Sequence, residues 1–279
     1  MKKAITSLLA TALASSVLVS CDRNEKSTPL RSNTYVLVHG AWQAPYVWDD
    51  VRAELEQQGN KVVVVELPGH GTDQTATHTL SLDVYRDKVI QAIPDDTGRV
   101  ILVGHSMAGM VISAVGEKIP SRIGKLVYVG AFLPTNGQAL TDLAESDPGS
   151  KLGPLLVRSA DQLTLDVVRD SLTYLFINDG SSSAKELVVK NYRAEPSIPF
   201  INKVSLTKEN FGSIEKVYVK TLQDIVISPA LQDRMIADAG IQLVYSLNTS
   251  HSPFLVQPKK LADMLVDLAQ EVTILSDRK

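Results

Sequence analysis

Six short, nearly all-apolar runs recur along this chain: Tyr35-Val36-Leu37-Val38, Val62-Val63-Val64-Val65, Val100-Ile101-Leu102-Val103, Leu126-Val127-Tyr128-Val129, Val217-Tyr218-Val219 and Leu243-Val244-Tyr245. Rich in β-branched residues, they are expected as strands covered on both faces. Between them, apolar residues recur at helical spacing in Trp48, Val51 and Leu55 and in Leu82, Tyr85, Val89 and Ile93. A last amphipathic helix is expected from Leu261, Met264, Leu265 and Leu268, begun by Pro258. Strand and helix in alternation imply an α/β fold around a mostly parallel sheet. The rhythm breaks between Pro134 and about Gly212, where Leu163 to Leu175 and Ala184 to Tyr192 read as helical pieces and no buried strand is evident. A segment that long is not a loop. It is expected to be a helical cap, about residues 134–212, inserted after the strand ending near Val129, with no second sheet.

The chain has 279 residues, with 28 Lys and Arg against 31 Asp and Glu and a formal net charge of −3. It lacks the basic footprint of nucleic-acid binding. Its single cysteine excludes an intramolecular disulfide, a zinc ribbon and a CxxC redox pair. That cysteine, Cys21, follows Lys2, Lys3 and an apolar stretch from Ala4 to Val19. The stretch reads as an export signal and is too short and interrupted to span a bilayer. Leu18-Val19-Ser20-Cys21 resembles the bacterial lipoprotein signal, in which the cysteine is acylated and the chain is cut before it. The expected division is a signal peptide at 1–20, a polar tether at 21–33 and one domain at 34–279. Such a protein would be exported to the bacterial cell envelope and lipid-anchored at Cys21.

The third run leads directly into Gly104-His105-Ser106-Met107-Ala108-Gly109 and then a helical segment through about Ile119. A serine flanked by small residues on a tight strand-to-helix turn is the G-x-S-x-G elbow, which exposes the hydroxyl above the sheet edge. Ala108 stands where the second glycine is usual, with Gly109 following. A serine hydroxyl needs a base oriented by an acid to become a nucleophile. Of the five histidines, His39 and His105 lie in turns beside the expected strands and read as structural, and His70 and His78 as surface or rim residues. His251, in Asn248-Thr249-Ser250-His251-Ser252-Pro253-Phe254, follows the last strand, where a base acting on Ser106 would stand. Between Ser106 and His251, the carboxylate in a turn after a strand is Asp224; Asp233 and Asp238 fall on the next helix as solvated charges. The amides of Met107 and Ala41 are the expected oxyanion donors, with Gly40 letting the backbone approach and Trp42 as a wall.

These features together resemble the α/β-hydrolases. Within that superfamily the chain is similar to EstC-type bacterial esterases, plant methylesterases and plant hydroxynitrile lyases. The matching stretches are Val36 to Trp42, Leu67-Pro68-Gly69-His70-Gly71, the elbow, Tyr128 to Pro134, Tyr218 to Asp224 and the His251 loop, covering about Thr34 to Ala269. The resemblance implies a cap between Pro134 and the acid-bearing strand. Lyases of this group carry Thr after the first strand's His and Lys after the catalytic His; here those positions are Gly40 and Ser252, which implies ester hydrolysis.

The resulting expectation is a serine carboxylesterase acting through an acyl-enzyme, with Ser106 as nucleophile, His251 as base and Asp224 as orienting acid. It needs neither metal nor organic cofactor and takes a small-molecule ester as its partner. Trp42, Phe132, Leu133 and Phe254, with cap residues Leu155, Leu156 and Leu175, are expected around the substrate. The alternatives are a lactonase, such as an acyl-homoserine lactone hydrolase, and a small-molecule receptor on the same fold.

Overall fold

The computed structural model describes residues 32–276. The expected signal at 1–20, Cys21 and the tether as far as Arg31 lie outside the described residues. Each of the six apolar runs forms a strand. The chain runs β1 (Thr34–Val38), α1 (Asp49–Gln57), β2 (Lys61–Val65), α2 (Leu82–Ala92), β3 (Val100–His105), α3 (Ala108–Lys118) and β4 (Ile123–Val129). The inserted region follows, with α4 (Leu140–Glu145), β5 (Leu156–Arg158), β6 (Thr164–Val167), α5 (Leu172–Ile177), α6 (Ser182–Asn191), β7 (Glu195–Pro196) and α7 (Ile198–Ile201). The chain then returns through β8 (Glu215–Thr221), α8 (Pro229–Asp238), β9 (Leu243–Leu247), α9 (Pro253–Val256) and α10 (Pro258–Ser276).

The main sheet has the order β2-β1-β3-β4-β8-β9, and every ladder in it is parallel. The two-residue period of a strand divides its side chains between two cores. Tyr35, Leu37, Ile101, Val103, Val127 and Val129 join one core with Trp48 and Leu55 of the α1 side and Leu261 and Leu265 of α10. Val36, Val38, Leu102, Leu126 and Tyr128 join the other, with Tyr85 of α2 and Val111 of α3. The edge strands β2 and β9 are only half covered, unlike the fully buried β1 and β3. From β2 the chain crosses β1 to reach β3, so strand order reverses between β1 and β3. At such a switch point the loops leaving neighbouring strands part and open a crevice at their C-terminal ends. The loop after β1 carries Gly40 to Trp42, and the turn after β3 carries Ser106.

The insertion is not purely helical. β5, β6 and β7 form a separate three-stranded antiparallel sheet. Thr164-Leu165-Asp166-Val167, read above as the start of a helix, is a strand in which Leu165 and Val167 are buried and Asp166 is exposed. An alternation of only four residues, running directly into the true helix α5, is too short to separate from a helical pattern by spacing alone.

Glycine at two elbow positions is dictated by packing. A Cβ on Gly104 would lie 2.8 Å from the Ala108 carbonyl oxygen, and one on Gly109 only 1.9 Å from that of Phe132. Ala108, fully buried, accommodates its methyl, so the close approach is made one position later than the motif suggests. Gly109→Ala is expected to lower stability by at least about 2 kcal/mol, read as a drop in Tm; an unchanged Tm contradicts this packing.

Candidate active site

Ser106 has φ of +54°, in the left-handed region that a side-chain-bearing residue enters only when its surroundings enforce it. Its carbonyl accepts the N–H of Gly109 at 3.1 Å from inside α3 and that of Phe132 at 3.1 Å from the segment after β4. The turn is thereby locked from two sides, and Ser106 Oγ faces the loop that follows β9.

His251 Nε2 lies 3.0 Å from Ser106 Oγ, and its Nδ1 lies 2.7 Å from Asp224 Oδ2. The Asp224 carboxylate is fixed by the N–H groups of Val226 at 2.8 Å and Ile227 at 3.0 Å, and by the Thr221 hydroxyl at 2.8 Å. With an acceptor at Nδ1, His251 presents a free Nε2 lone pair to the serine hydroxyl. Ser106 is 5% exposed and His251 2%, so the relay is shielded from bulk water. His105 supports it from below: its Nε2 donates to the His251 carbonyl at 2.7 Å, and its ring packs 4.6 Å from that of His251. Burial, followed by the neighbouring His251 and His39 rings, holds His105 well below the ordinary imidazole range, so it stays neutral.

The loop after β1 abuts Ser106, since a Cβ on Gly40 would meet Ser106 Cβ at 2.8 Å. Two bonds set its peptide planes. His39 Nε2 accepts the Leu67 N–H at 3.2 Å, which leaves Nδ1 to donate to the Gly40 carbonyl at 2.9 Å. In a trans peptide this turns the Ala41 N–H to the opposite side, away from the His39 ring. The next plane is fixed by the Trp42 N–H, which donates to Glu195 Oε2 at 2.8 Å. Trp42 itself has φ of +59°. Its indole N–H donates to the Leu165 carbonyl at 2.9 Å, and its rings lie 5.6 Å from Phe176 and 5.9 Å from Phe200. Among the described residues, neither the Ala41 nor the Met107 N–H has a backbone acceptor.

Phe132, Leu133 and Leu175 are buried in the core shared by sheet and insertion, with Leu155 and Leu156 half-buried against it. Phe254 does not join them. It starts α9, which turns under the other face of the sheet, and packs 4.9 Å from Trp48 and 4.6 Å from His105. His70, expected at the rim, is 2% exposed, whereas His78 is exposed as expected. Gln43 Nε2 donates to Ser252 Oγ at 3.2 Å and ties the first loop to the His251 loop.

A family model described as "Alpha/beta hydrolase family" matches residues 35–264. The chain belongs to that family. Putative methylesterase 11, chloroplastic, of Arabidopsis thaliana is 31% identical over 258 residues, covering 88% of this chain and 66% of that protein; the chain thus spans a little under two thirds of that relative. Methylesterase 2 of Arabidopsis thaliana is 28% identical over 256 residues, covering 86% of the chain and 97% of that protein. Among solved structures, an extracellular alpha/beta-hydrolase from a Paenibacillus species, described as sharing structural and functional homology with tobacco salicylic acid binding protein 2, is 28% identical with a TM-score of 0.72, covering 84% of this chain and 98% of that one.

In this hydrolase the sequence reading missed Glu195, Phe176 and Phe200. Glu195 is fully buried, yet the segment Ala194-Glu195-Pro196 has no spacing that marks its acid as internal. Phe176 lies 6.1 Å from the His251 ring, one residue beyond the helical piece read at Leu163 to Leu175.

The remaining buried histidines are shifted in opposite directions. Both ring nitrogens of His70 face acceptors, Pro68 O at 3.1 Å and Glu195 Oε2 at 2.8 Å, as in an imidazolium. Burial opposes that charge, but the Glu195 carboxylate and the Pro68 carbonyl outweigh it, and the pKa is raised. His39, 4.9 Å away ring to ring, is pushed down to about 3 by burial and then by His70. Between about pH 3 and its unfolded value of 6.5, the unfolded chain holds a proton on His39 that the folded chain lacks. Stability from this group therefore rises with pH across that window and is lost on acidification. Thermal melting from pH 7 down to 4.5 is expected to show a shallower fall for His39→Gln than for the wild type; equal slopes contradict a neutral His39.

Proposed function

We propose that this hydrolase is a serine carboxylesterase for small-molecule esters. The observation that carries the reading is the relay from Asp224 Oδ2 through His251 to Ser106 Oγ, with contacts of 2.7 and 3.0 Å. His251 Nε2 takes the hydroxyl proton as Ser106 Oγ bonds to the ester carbonyl carbon. The carbonyl oxygen becomes an oxyanion facing the N–H groups of Ala41 and Met107. The tetrahedral adduct collapses, the bond to the alkoxy oxygen breaks, and the imidazolium gives its proton to the departing alcohol. Water then enters and bonds to the acyl carbon as His251 takes its proton; the bond to Ser106 Oγ breaks, the imidazolium returns the proton to that oxygen, and the acid leaves. Asp224 remains a carboxylate throughout and stabilises the imidazolium. Each oxyanion donor contributes about 10²–10³ in kcat.

Support for a small, largely apolar substrate comes from the aromatic surroundings formed by Trp42, Phe176 and Phe200. The methylesterase relatives favour an ester with a small alcohol. With Gly40 and Ser252 at the two positions that differ in the lyases, hydrolysis is favoured over cyanohydrin cleavage. Ser106→Ala in the full chain is expected to lower kcat for a short p-nitrophenyl ester by about six orders of magnitude and to abolish labelling by a fluorophosphonate probe. Retained turnover or labelling at another residue sinks the assignment, and a wild-type protein that stays unlabelled favours a receptor.

The reading extends to the N-terminus, where Lys2, Lys3, the apolar stretch and Leu18-Val19-Ser20-Cys21 support export and lipid attachment at Cys21 in a bacterial envelope. Expressed in a bacterium fed radiolabelled palmitate, the wild-type chain is expected to incorporate label and Cys21→Ser to incorporate none; equal labelling refutes the anchor.

A further inference from the structure

Three carboxylates of the inserted region each grip the backbone of a different loop at the site. Glu195 on β7 accepts the Trp42 N–H at 2.8 Å in the loop after β1. Asp147, just beyond α4, accepts the Ser228 N–H at 2.8 Å and the Ser228 hydroxyl, at the end of the loop that carries Asp224. Asp179, just beyond α5, accepts the Ser250 N–H at 2.8 Å and the Ser250 hydroxyl, one residue before His251. The three loops bear the proposed oxyanion donor, acid and base. The acid loop is tied twice more, by Lys151 N–H to the Ile225 carbonyl at 2.7 Å and by the Ser150 hydroxyl to the Val226 carbonyl at 2.8 Å.

Glu195 is the most constrained of the three. It is fully buried, one oxygen takes both the Trp42 N–H and His70 Nε2, and the other has no partner among the described residues. A buried charge is retained only where it is paired and hydrogen-bonded, and here its hydrogen bond falls on a residue at φ +59°. Leu165, which pairs with Glu195 across β6 and β7, accepts the Trp42 indole N–H. The small antiparallel sheet therefore holds Trp42 at both its backbone and its ring, and a strained conformation persists where surroundings over-determine it.

Resting on the esterase reading above, we propose that Glu195, Asp147 and Asp179 are positioning residues, through which the inserted region sets the register of the oxyanion, acid and base loops around Ser106. The insertion is then a part of the catalytic machinery, and not a cover that can be detached from it. None of the three touches the substrate. Their loss acts on the transition state through the loops.

The test uses the full chain with a p-nitrophenyl ester and a trifluoromethyl ketone, which forms a tetrahedral oxyanion adduct on the serine. Glu195→Gln keeps the shape and removes the charge. It is expected to lower kcat by about 10- to 100-fold and to weaken trifluoromethyl ketone binding in parallel, with a smaller change in KM. A residue that merely stabilised the fold would lower Tm and leave the kcat-to-KM split and the inhibitor affinity alone. Wild-type kcat and inhibitor affinity in a folded Glu195→Gln overturn the proposal. Should that variant not fold, Asp179→Asn, on a more exposed carboxylate, is read in its place: lower kcat with a smaller change in KM supports the proposal, and wild-type kcat overturns it. Ser106→Ala is run alongside. If it retains turnover, the esterase reading itself fails; if it is silent while the carboxylate variant is at wild-type rate, only the positioning role falls.

Discussion

The arrangement at the site depends on one backbone constraint, the left-handed conformation of Ser106 at φ +54°. A side chain held there costs about 1–3 kcal/mol. Burying one aliphatic side chain contributes about 1.5–3 kcal/mol, so a single valine of the fully buried β3 offsets the strain. The strain is maintained by hydrogen bonds from Gly109 and Phe132 to the Ser106 carbonyl. It is permitted by missing side chains at Gly40, Gly104 and Gly109, each of which would otherwise collide with a neighbour. The elbow is thus a close meeting of three backbone segments, stabilised by the sheet behind it.

Around that point, charge is distributed by pairing more than by burial. His39 and His70 are ring neighbours in the same buried environment, yet the pKa of one is lowered and that of the other raised. The difference is the Glu195 carboxylate, which pairs with His70, while the hydrogen bonds of His39 go to the Gly40 carbonyl and the Leu67 N–H. A neutral His39 can accept from Leu67 and donate to Gly40 at once, which a doubly protonated ring cannot do. The fixed direction of the Ala41 N–H therefore depends first on the burial that keeps His39 neutral, with the neighbouring His70 adding to it.

What could be read from sequence follows the range of the interactions. The six sheet strands are legible because their apolar runs need no knowledge of distant partners. Ser106 is legible from its own turn, and His251 and Asp224 from their positions after strands. The short strand at Thr164–Val167 is not, because four alternating residues beside a helix have no distinctive period. Glu195 is not legible for a deeper reason: its partners Trp42 and His70 lie 153 and 125 residues away, and no local pattern separates an internal carboxylate from a surface one. His70 was misread for the same reason, since the carboxylate that draws it inside is invisible until the chain is folded. Phe254 was displaced by topology, as α9 carries it beneath the sheet.

The bare Cα of Gly40 also bears on how this scaffold can change its chemistry. A Cβ at that position would stand 2.8 Å from both Ser106 Cβ and His105 Nδ1, atoms of the elbow itself and not the yielding tip of a long side chain. A Thr at that position, as the lyases resembled here carry, cannot be introduced into this backbone by one substitution without pushing the Ser106 turn aside. Any evolutionary or engineered path from this chain toward such a lyase must first widen the elbow.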